Sequence, residues 1–580
     1  MITLESRPDA GTRMSENSMS LSFHMSSGSS SACFCYNVCM KVSELFVRCL
    51  EAEGVEYIFG IPGEENLEFL NALASSNIKF ILTRDERGAA FMANVYGRLS
   101  GRPGVCLSTL GPGATNLITG VADAVLDFSP LVAITAQVAL SKIHKESHQY
   151  IDILSLFNPI TKWNTRVTMP GTLTEIVKKA FKVSRTEKKG PVHIELPEDI
   201  ALKHTDARPL RPEEIVYPSP SEALLEKAAR LINDAGFPII IAGNGVVRSG
   251  AAEALRRFIS KSLIGVTTTF MGMGVIASED ECFISTVGLQ SRDYISCGFE
   301  MADLIITIGY DTVEFPPEYW NPDGNKTIIH IDTTGAEVDS HYCGLEVVGD
   351  INKSLDYLTE NITAPKDPSC YNTLRDMVIC EDDFPESGYP LKPIRIVKAL
   401  RSVLNDDDIV ISDVGAHKIW LARFLRPLRE NRVIISNGLS AMGISIPGAI
   451  AAKLLYPERK VIAVTGDGGL MMSLGELETA KRLGLDIVII VYNDKGLGLI
   501  EWKELINYKR EFFTRFGNPD WVKLAEGFGF RGFRVERDDH LEIMLKDAFS
   551  EKGPVLIDCP VDYTENLRLT EVLGRIICSM

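Results

Sequence analysis

Short apolar runs rich in β-branched residues alternate with longer amphipathic stretches along most of the chain. Three of the clearest runs are residues 238–242, 460–465 and 486–492, and each has the length of one buried strand. Strands that alternate with helix-length segments favour parallel sheets, because each parallel connection needs a crossover that a helix can supply. The pattern therefore predicts an α/β fold made of doubly wound parallel sheets.

The chain has 580 residues, which is too long for a single hydrophobic core. Two polar stretches, residues 203–222 with four prolines and residues 364–393 with five, interrupt the alternating pattern. We predict that they separate three domains, at residues 40–205, 206–370 and 371–580. Each is large enough for one doubly wound sheet.

Residues 1–39 differ from the rest of the chain. They contain ten serines and no sustained hydrophobic periodicity, whereas patterned sequence begins at Met40. This composition predicts a disordered N-terminal extension, or translation from an upstream start codon with Met40 as the natural start. An organelle-targeting peptide is the alternative, but Glu5, Asp9 and Glu16 argue against it because such peptides contain few acidic residues.

The overall charge excludes some classes of partner. The chain carries 60 basic and 77 acidic residues, a net charge of −17, and has no block rich in Lys and Arg. We therefore expect no nucleic-acid partner and no membrane partner, and no apolar run approaches the length of a membrane span. The twelve cysteines show no repeating spacing, which predicts reduced thiols and a cytoplasmic location.

The most informative motif follows the apolar run 460–465. Gly466, Asp467, Gly468 and Gly469 form a glycine-rich turn, and the next predicted strand ends near Asp494, 27 residues after Asp467. Ends of parallel strands meet at one edge of a sheet, where α/β folds bind ligands. Two carboxylates and the Gly496 carbonyl would make an all-oxygen site suited to Mg²⁺, and the glycines would let a diphosphate approach the backbone.

A Gly-Asp-Gly sequence alone is more often a simple turn. The second strand, with an Asn-Asp pair at this spacing, argues for a ligand site. No Gly-Lys-Ser/Thr follows, so the motif is not a nucleotide-binding P-loop.

The glycine-rich turn resembles the signature of thiamine-diphosphate enzymes, and the resemblance extends over nearly all of residues 40–570. Residues 59–64, 83–90 and 110–116 are similar to the pyrimidine-binding domain of acetolactate synthases. Residues 308–314 and 329–332, and the ending 560–566, resemble the catabolic, flavin-independent members of that family. The family has a pyrimidine-binding, a central and a diphosphate-binding domain in that order, which agrees with the predicted boundaries.

The resemblance implies roles for individual residues. Glu86 would be the catalytic glutamate that protonates the aminopyrimidine ring of the cofactor, and Gln149 an amide near bound pyruvate. In isolation, Glu86 is better explained as a first-turn residue that favours the helix dipole. For Gln149, an ordinary loop amide is the less favoured alternative. The cofactor-binding residues implied are Ile61, Pro62, Gly63, Glu86, Gly415, Ala416, His417, Met442, Gly466, Asp467, Gly468, Gly469, Asp494 and Gly496, with Asp467, Asp494 and Gly496 as metal ligands.

The resemblance further implies an acetolactate synthase that needs thiamine diphosphate and Mg²⁺. It would decarboxylate pyruvate to a hydroxyethyl carbanion/enamine and condense it with a second pyruvate, giving 2-acetolactate and CO₂. The family builds each site between two subunits, so a homodimer or a dimer of dimers is expected. The alternatives are another thiamine-diphosphate decarboxylase or oxidase on the same scaffold, and a non-catalytic assembly paralogue.

Two departures from the wider family bear on these expectations. Flavin-dependent members carry Arg-Phe-Asp-Asp-Arg where this chain has Gly309, Tyr310, Asp311 and Thr312, so no flavin is expected. The family usually places Gln or Trp at the position that shapes the acceptor pocket, and this chain aligns Lys503 there. The preference between pyruvate and 2-oxobutyrate as acceptor is therefore left open.

Overall fold

The computed structural model describes residues 39–288, 295–379, 384, 387–427 and 429–567. The predicted N-terminal extension lies outside the described residues, apart from Cys39. The first strand begins at Met40, where the sequence pattern also begins.

Six parallel strands form the first sheet. The strands are β2 (Tyr57–Gly60), β3 (Lys79–Leu82), β4 (Gly104–Ser108), β5 (Leu131–Gln137), β6 (Trp163–Arg166) and β7 (Pro191–Pro197), in the order β3-β2-β4-β5-β7-β6. The helices are α1 (Val42–Ala52), α2 (Leu67–Leu73), α3 (Glu86–Ser100), α4 (Pro112–Leu126), α5 (Ile153–Phe157), α6 (Leu173–Arg185) and α7 (Glu198–Ala201). A separate antiparallel pair, β1 (Met40–Lys41) and β8 (His204–Thr205), joins the two ends of this block.

The central sheet also has six parallel strands. They are β9 (Pro238–Ala242), β10 (Gly265–Thr268), β11 (Phe283–Thr286), β12 (Leu304–Ile308), β13 (Thr327–Asp332) and β14 (Leu345–Val348), in the order β11-β10-β9-β12-β13-β14. The helices are α8 (Glu222–Asp234), α9 (Asn244–Arg248), α10 (Ala252–Ser262), α11 (Ser296–Met301), α12 (Ile351–Glu360) and α13 (Asn372–Ile379).

The third sheet also has six parallel strands. Its strands are β15 (Ile409–Ser412), β16 (Val433–Ile435), β17 (Val461–Gly466), β18 (Ile487–Asn493), β19 (Arg531–Arg534) and β20 (Val555–Pro560), in the order β16-β15-β17-β18-β20-β19. The helices are α14 (Pro393–Val403), α15 (Ala416–Phe424), α16 (Ser445–Leu455), α17 (Asp467–Met472), α18 (Glu476–Arg482), α19 (Gly498–Tyr508), α20 (Trp521–Gly527) and α21 (Leu541–Ser550).

The three sheets confirm the predicted α/β class with doubly wound parallel domains. Numbered within its own sheet, the strand order of the first and third sheets is 2-1-3-4-6-5, whereas that of the central sheet is 3-2-1-4-5-6. One sheet falls within each predicted block, while the exact boundaries remain a prediction. The first and third blocks share one hydrophobic core, in which α3 packs against α16 and a Cβ at Gly448 would lie 2.9 Å from Val95 Cγ2.

Two further expectations can be compared with the structure. Cys49, Cys106, Cys282 and Cys559 are buried free thiols, but Cys297 is disulfide-bonded, so the expectation that every cysteine is reduced is wrong for that residue. Among the described helices, none combines the length and the apolar character needed to span a bilayer.

The central sheet has the strand order of dinucleotide-binding folds, but its backbone fills the crevice between β9 and β12. Gly245 N donates to the Gly309 carbonyl over 2.7 Å, and a Cβ at Gly245 would lie 2.5 Å from Gly309 Cα. Gly309 has a φ of +55°, and a Cβ there would lie 2.3 Å from Val246 N. The turn after β9 and the turn after β12 therefore pack directly on each other.

We predict that Gly309→Ala destabilises the protein more than Gly250→Ala. Both glycines have positive φ, but the structure has open space around a Cβ at Gly250. A left-handed alanine costs about 1 kcal/mol at either site, and the backbone clash at Gly309 should add about 2 kcal/mol. In thermal denaturation, the midpoint of Gly309→Ala should lie roughly 4–8 °C below that of Gly250→Ala. Equal midpoints would show that the close packing around Gly309 does not contribute to stability.

Candidate active site

The predicted cofactor residues of the third sheet lie at its topological switch point. From β15 the chain continues to its neighbour β16 at one edge of the sheet, whereas from β17 it continues to β18 in the opposite direction. This reversal leaves a crevice between the carboxyl ends of β15 and β17. Residues 414–417 follow β15 and residues 467–469 follow β17. The strand order thus brings together two segments that are about 50 residues apart in the sequence.

A cavity of about 230 Å³ opens at this crevice. The predicted residues that line it are Gly415, Ala416, His417, Met442, Gly466, Asp467, Gly468, Gly469, Asp494 and Gly496. It is also lined by Val414, Ser440, Leu497, Gly498, Leu499, Ile500 and Tyr563, which the sequence did not predict. Ten predicted residues from four separate segments therefore meet around one space.

Asp467 is fixed by a full set of donors. One carboxylate oxygen accepts from Lys495 N and Asn518 Nδ2, both at 2.7 Å, and the other accepts from Gly468 N at 2.8 Å. Burial raises the pKa of Asp467, and the hydrogen bonds to Asn518 and to the two backbone N–H groups oppose that shift. Asn518 was not predicted, because no spacing rule connects it to the glycine-rich turn.

Asp494 is the less stabilised of the two carboxylates. Burial and the nearby negative charge of Asp467 raise the pKa of Asp494 to about 8. Two buried carboxylates that disfavour each other's charge provide a donor set that a divalent cation would stabilise. The structure thus places the two predicted metal ligands near each other. A Cβ at Gly498 would lie only 2.5 Å from Asp494 Oδ2, so the backbone of Gly498 lies close to this carboxylate.

The opposite wall of the cavity is built on His417 and the glycine-rich turn. His417 is buried, and burial lowers its pKa to about 4, so the ring is neutral at physiological pH. Within the described part of the chain, His417 Nε2 has no hydrogen-bond partner. A buried polar atom at a cavity wall requires a partner, which a ligand in the cavity could provide.

Met442 lies close to the glycine-rich turn. A Cβ at Gly468 would be 3.3 Å from Met442 Cε, so the end of the methionine side chain packs over the turn. A flexible thioether can fill an irregular space beside a ligand. This position is consistent with the cofactor-binding role that the resemblance implies for Met442.

The predicted residues of the first domain form a second group around residues 109–113, the segment that follows β4. Asn116 Nδ2 donates to Glu86 Oε2 over 3.0 Å, and Glu86 is buried at the start of α3. A Cβ at Gly113 would lie 3.1 Å from Glu86 Oε1, and one at Gly111 would lie 3.0 Å from Gln149 Cβ. Glu86 thus has the burial and the hydrogen bond that its expected role needs.

Ile61, Pro62 and Gly63 complete this second group. They follow β2, and β2 and β4 flank the switch point of the first sheet. A Cβ at Gly63 would be 2.3 Å from Thr109 Cβ, which places the 61–63 turn against the segment after β4.

The two groups do not share a cavity within one chain. The described residues that line the cavity all lie between positions 414 and 563, so Glu86, Gln149 and residues 61–63 are not among them. Gln149 is exposed, with a φ of +57°. Each chain therefore presents the predicted residues as two separate groups, or half-sites, at two different sheet edges.

Lys503 lies at a different cavity from the cofactor residues. It is exposed on α19, and its cavity is bordered by residues 314–316 of the central domain and by Trp502. Leu499 lines both cavities, so the two cavities adjoin at this residue. The assignment of Lys503 to an acceptor pocket remains a prediction.

Comparison with known proteins gives a consistent result. The chain matches the models "Thiamine pyrophosphate enzyme, N-terminal TPP binding domain" at residues 40–156, "central domain" at 225–358 and "C-terminal TPP binding domain" at 413–559. It is 35% identical to the acetolactate synthase of Bacillus subtilis (strain 168), over 91% of this chain and 94% of the relative. It is also 35% identical to the catabolic acetolactate synthase of Raoultella terrigena, over 92% and 98% of the two chains.

A more distant relative is the mitochondrial acetolactate synthase of Schizosaccharomyces pombe, 30% identical over 90% of this chain and 84% of that protein. The chain belongs to the acetolactate synthase family of thiamine-diphosphate enzymes. The three family domains occur in the predicted order, and the cavity described above lies in the C-terminal TPP binding domain of this family member.

We predict a pH-dependent stabilisation by Asp494→Asn when divalent cations are removed with a chelator. A carboxyl group whose pKa is raised in the folded state stabilises the fold below its ordinary pKa, and this contribution is lost as the pH rises to about 8. The variant does not titrate, so its melting temperature relative to the wild type should increase by roughly 3–6 °C between pH 5 and pH 8.

Asp562→Asn is the matched control. Its carboxylate accepts from Lys392 Nζ over 2.6 Å and from Thr564 N over 2.9 Å, so its removal should lower the melting temperature at pH 8. A pH-independent difference for Asp494→Asn would contradict the assignment of a strained carboxylate pair.

Proposed function

We propose that the protein is a catabolic, flavin-independent acetolactate synthase. It would decarboxylate one pyruvate and join the remaining two-carbon unit to a second pyruvate, giving 2-acetolactate and CO₂. The proposal rests on one observation: the glycine-rich turn, the Asp467–Asp494 pair, His417 and Met442 all line the same cavity. Similarity to acetolactate synthases over about nine-tenths of the chain supports the choice of reaction.

The residues of the cavity suit thiamine diphosphate and Mg²⁺. Asp467, Asp494 and the Gly496 carbonyl would hold the cation, which would relieve the repulsion that raises the pKa of Asp494. Gly415, Ala416, His417 and residues 466–469 would receive the diphosphate, and Met442 would support the ring system. When bound, thiamine diphosphate supplies the carbanion chemistry that breaks the bond between the carbonyl and carboxyl carbons of pyruvate.

Glu86 would hold and transfer the proton at the aminopyrimidine ring. Its Oε2 is oriented by Asn116 Nδ2, so the other carboxyl oxygen can face the ring, and burial keeps water from competing for the proton. Residues 61–63 would contact the same ring. Gln149 would position pyruvate through its side-chain amide.

The separation of the two half-sites favours a homodimer or a dimer of dimers. Each complete site would take Glu86 from one subunit and the Asp467–Asp494 pair from the other. A titration that mixes an inactive Glu86 variant with an inactive Asp467 variant tests this arrangement, because shared sites should restore part of the activity. We further propose that the small-molecule partner is pyruvate, with no nucleic-acid or membrane partner, and that the protein is cytoplasmic.

Product identification tests the proposed reaction against its alternatives. Purified protein is incubated with pyruvate, thiamine diphosphate and Mg²⁺, and the products are measured. 2-Acetolactate supports the proposal, acetaldehyde indicates a simple decarboxylase, and acetate with peroxide indicates an oxidase. Absence of any product indicates the non-catalytic paralogue. Competition with 2-oxobutyrate in the same assay gives the acceptor preference that Lys503 leaves open.

We predict that activity requires no flavin and that the purified protein is colourless. The crevice between β9 and β12, where a dinucleotide would bind a sheet of this order, contains the mutual packing of Gly245 and Gly309. Beside it, Arg248 Nη1 donates to Asp311 over 2.6 Å, and Lys188 lies 3.0 Å from the same carboxylate. A stoichiometric flavin absorption spectrum, with loss of activity when the flavin is removed, would contradict this prediction.

We predict that Glu86→Gln slows proton exchange at C2 of the bound cofactor by about 10²–10⁴-fold, because an amide cannot transfer the proton. Cofactor affinity should change little, since the cavity residues lie elsewhere in the chain. The measurements are hydrogen–deuterium exchange by NMR and cofactor titration. Glu68→Gln, which alters a surface ion pair with Lys41, is the control. Wild-type exchange in Glu86→Gln would refute the role given to Glu86.

A further inference from the structure

The segment between β16 and α16, residues 436–444, carries two of the residues that line the cofactor cavity, Ser440 and Met442. Ser440 has a φ of +54°, a left-handed conformation that costs a non-glycine residue about 1 kcal/mol. Such a conformation persists only where the surroundings hold it in place. The groups that hold residues 436–441 therefore decide the shape of this wall of the cavity.

Lys418 holds one side of this loop. It follows His417 in α15 and is buried, and its ammonium group donates to Ser436 O at 3.2 Å, Asn437 Oδ1 at 3.2 Å and Ser440 Oγ at 3.3 Å. An ammonium group has three protons, so these three acceptors use all of them. Ser440 Oγ in turn donates to Asn437 O over 2.9 Å, which closes a small network.

Two carboxylates of the first domain hold the other side. Asp123 accepts from Ser436 Oγ at 2.6 Å, and Asp127 accepts from Gly438 N at 2.7 Å. Both residues are fully buried at the end of α4, the helix whose start lies beside Glu86. The loop is therefore held between an ammonium group of its own domain and two carboxylates of the first domain.

Charged and titratable side chains surround the loop on both sides. Arg98 Nη1 lies 3.3 Å from Asp127 Oδ2 and also donates to Ile435 O over 2.8 Å. Asp123 and Asp127 face the two cations Arg98 and Lys418. Burial and the nearby charge of Asp127 raise the pKa of Asp123 to about 8, and burial also raises the pKa of Asp127, so Asp123 titrates in the same pH range as Lys418. The neutral ring of His417 on the same helix and the ring of Phe270, whose centroid lies 5.8 Å from Nζ, also lie near Lys418.

We infer that Lys418 is a positioning residue for the thiamine-diphosphate site, which holds Ser440 and Met442 in place through its three hydrogen bonds to residues 436–440. The inference rests on the proposed cofactor site. Lys418 itself does not line the cavity. The inference also gives a supporting role to Asp123 and Asp127, the first-domain carboxylates on the far side of the loop.

The inference has a pH consequence. Burial lowers the pKa of Lys418 to about 8, against the opposing effect of Asp127 and Asp123. Above this pH a neutral amine has two protons for three acceptors, so the loop loses at least one hydrogen bond. The depressed pKa means that deprotonation does not lower the stability of the fold, because the unfolded chain binds the proton more tightly. An alkaline loss of cofactor affinity through Lys418 is therefore separable from unfolding.

The test is a titration of cofactor-free protein with thiamine diphosphate at saturating Mg²⁺, followed by tryptophan fluorescence between pH 6.5 and 9.5. Lys418→Met keeps the apolar stem and removes the charge, and it should weaken binding at pH 7 by about 10–100-fold. Lys418→Arg keeps the charge at every pH used, so its affinity should not fall above pH 8 as that of the wild type does. This comparison also removes the contributions of Asp494 and Asp123, because both carboxyl groups are present in both proteins.

Lys453→Met is the matched control. Lys453 is a buried lysine of the same domain that donates to Arg459 O over 2.7 Å, away from the cavity. Its removal should leave cofactor affinity and the pH profile unchanged. Wild-type affinity with a wild-type pH profile in Lys418→Met would overturn the inference, and so would an equal loss in Lys453→Met.

Two results would have causes other than a wrong role for Lys418. If the wild-type protein does not bind thiamine diphosphate at all, the proposed function fails instead. If Lys418→Met does not fold, as judged by circular dichroism, Ser440→Ala takes its place, because it removes only one acceptor at the cavity wall. Ser440→Ala should bind a few-fold more weakly, and unchanged binding would overturn the inference.

Discussion

The cofactor half-site of the third domain depends on one buried carboxylate, Asp413. It lies at the end of β15 and accepts from Val414 N at 2.8 Å, from Gly443 N at 2.9 Å, and from both the backbone N and the hydroxyl of Ser445. A Cβ at Gly469 would lie 2.7 Å from its Oδ1. One side chain thus fixes the positions of three segments, those that carry His417, Met442 and the glycine-rich turn, because a buried carboxylate must be satisfied by donors.

The strand order explains why two half-sites exist. The first and third sheets share one order, and each places a cluster of predicted residues at its switch point, around Gly63 and Thr109 in one and around Gly415 and Asp467 in the other. The central sheet has a different order, and its switch point is closed by backbone packing at Gly309. The two domains with the same strand order are those that match the TPP binding domain models, and each brings its predicted residues together at its switch point.

Much of the fold and of the cavity could be predicted from the sequence. The continuous apolar strands, such as β9, and the spacing of Asp467 and Asp494 are local patterns that burial and strand geometry dictate. The edge strands β6 and β19 could not be predicted, because they are only partly buried and carry polar residues. Asp413, Asn116 and Asn518 act on partners remote in sequence or in unpatterned loops, so no spacing rule identifies them. The predicted role of Glu86 came from the resemblance to a known family, because its local sequence alone is better explained as a helix start.

The repulsion between Asp467 and Asp494 makes the stability of the folded chain depend on its ligands. A chain without cation and cofactor keeps the repulsion between Asp467 and Asp494, and ligands that bind only the folded state increase its stability by mass action. Quality-control proteases act on the unfolded fraction, so a small loss of stability can change abundance several-fold. A shortage of the cofactor would therefore lower the amount of folded protein as well as its activity.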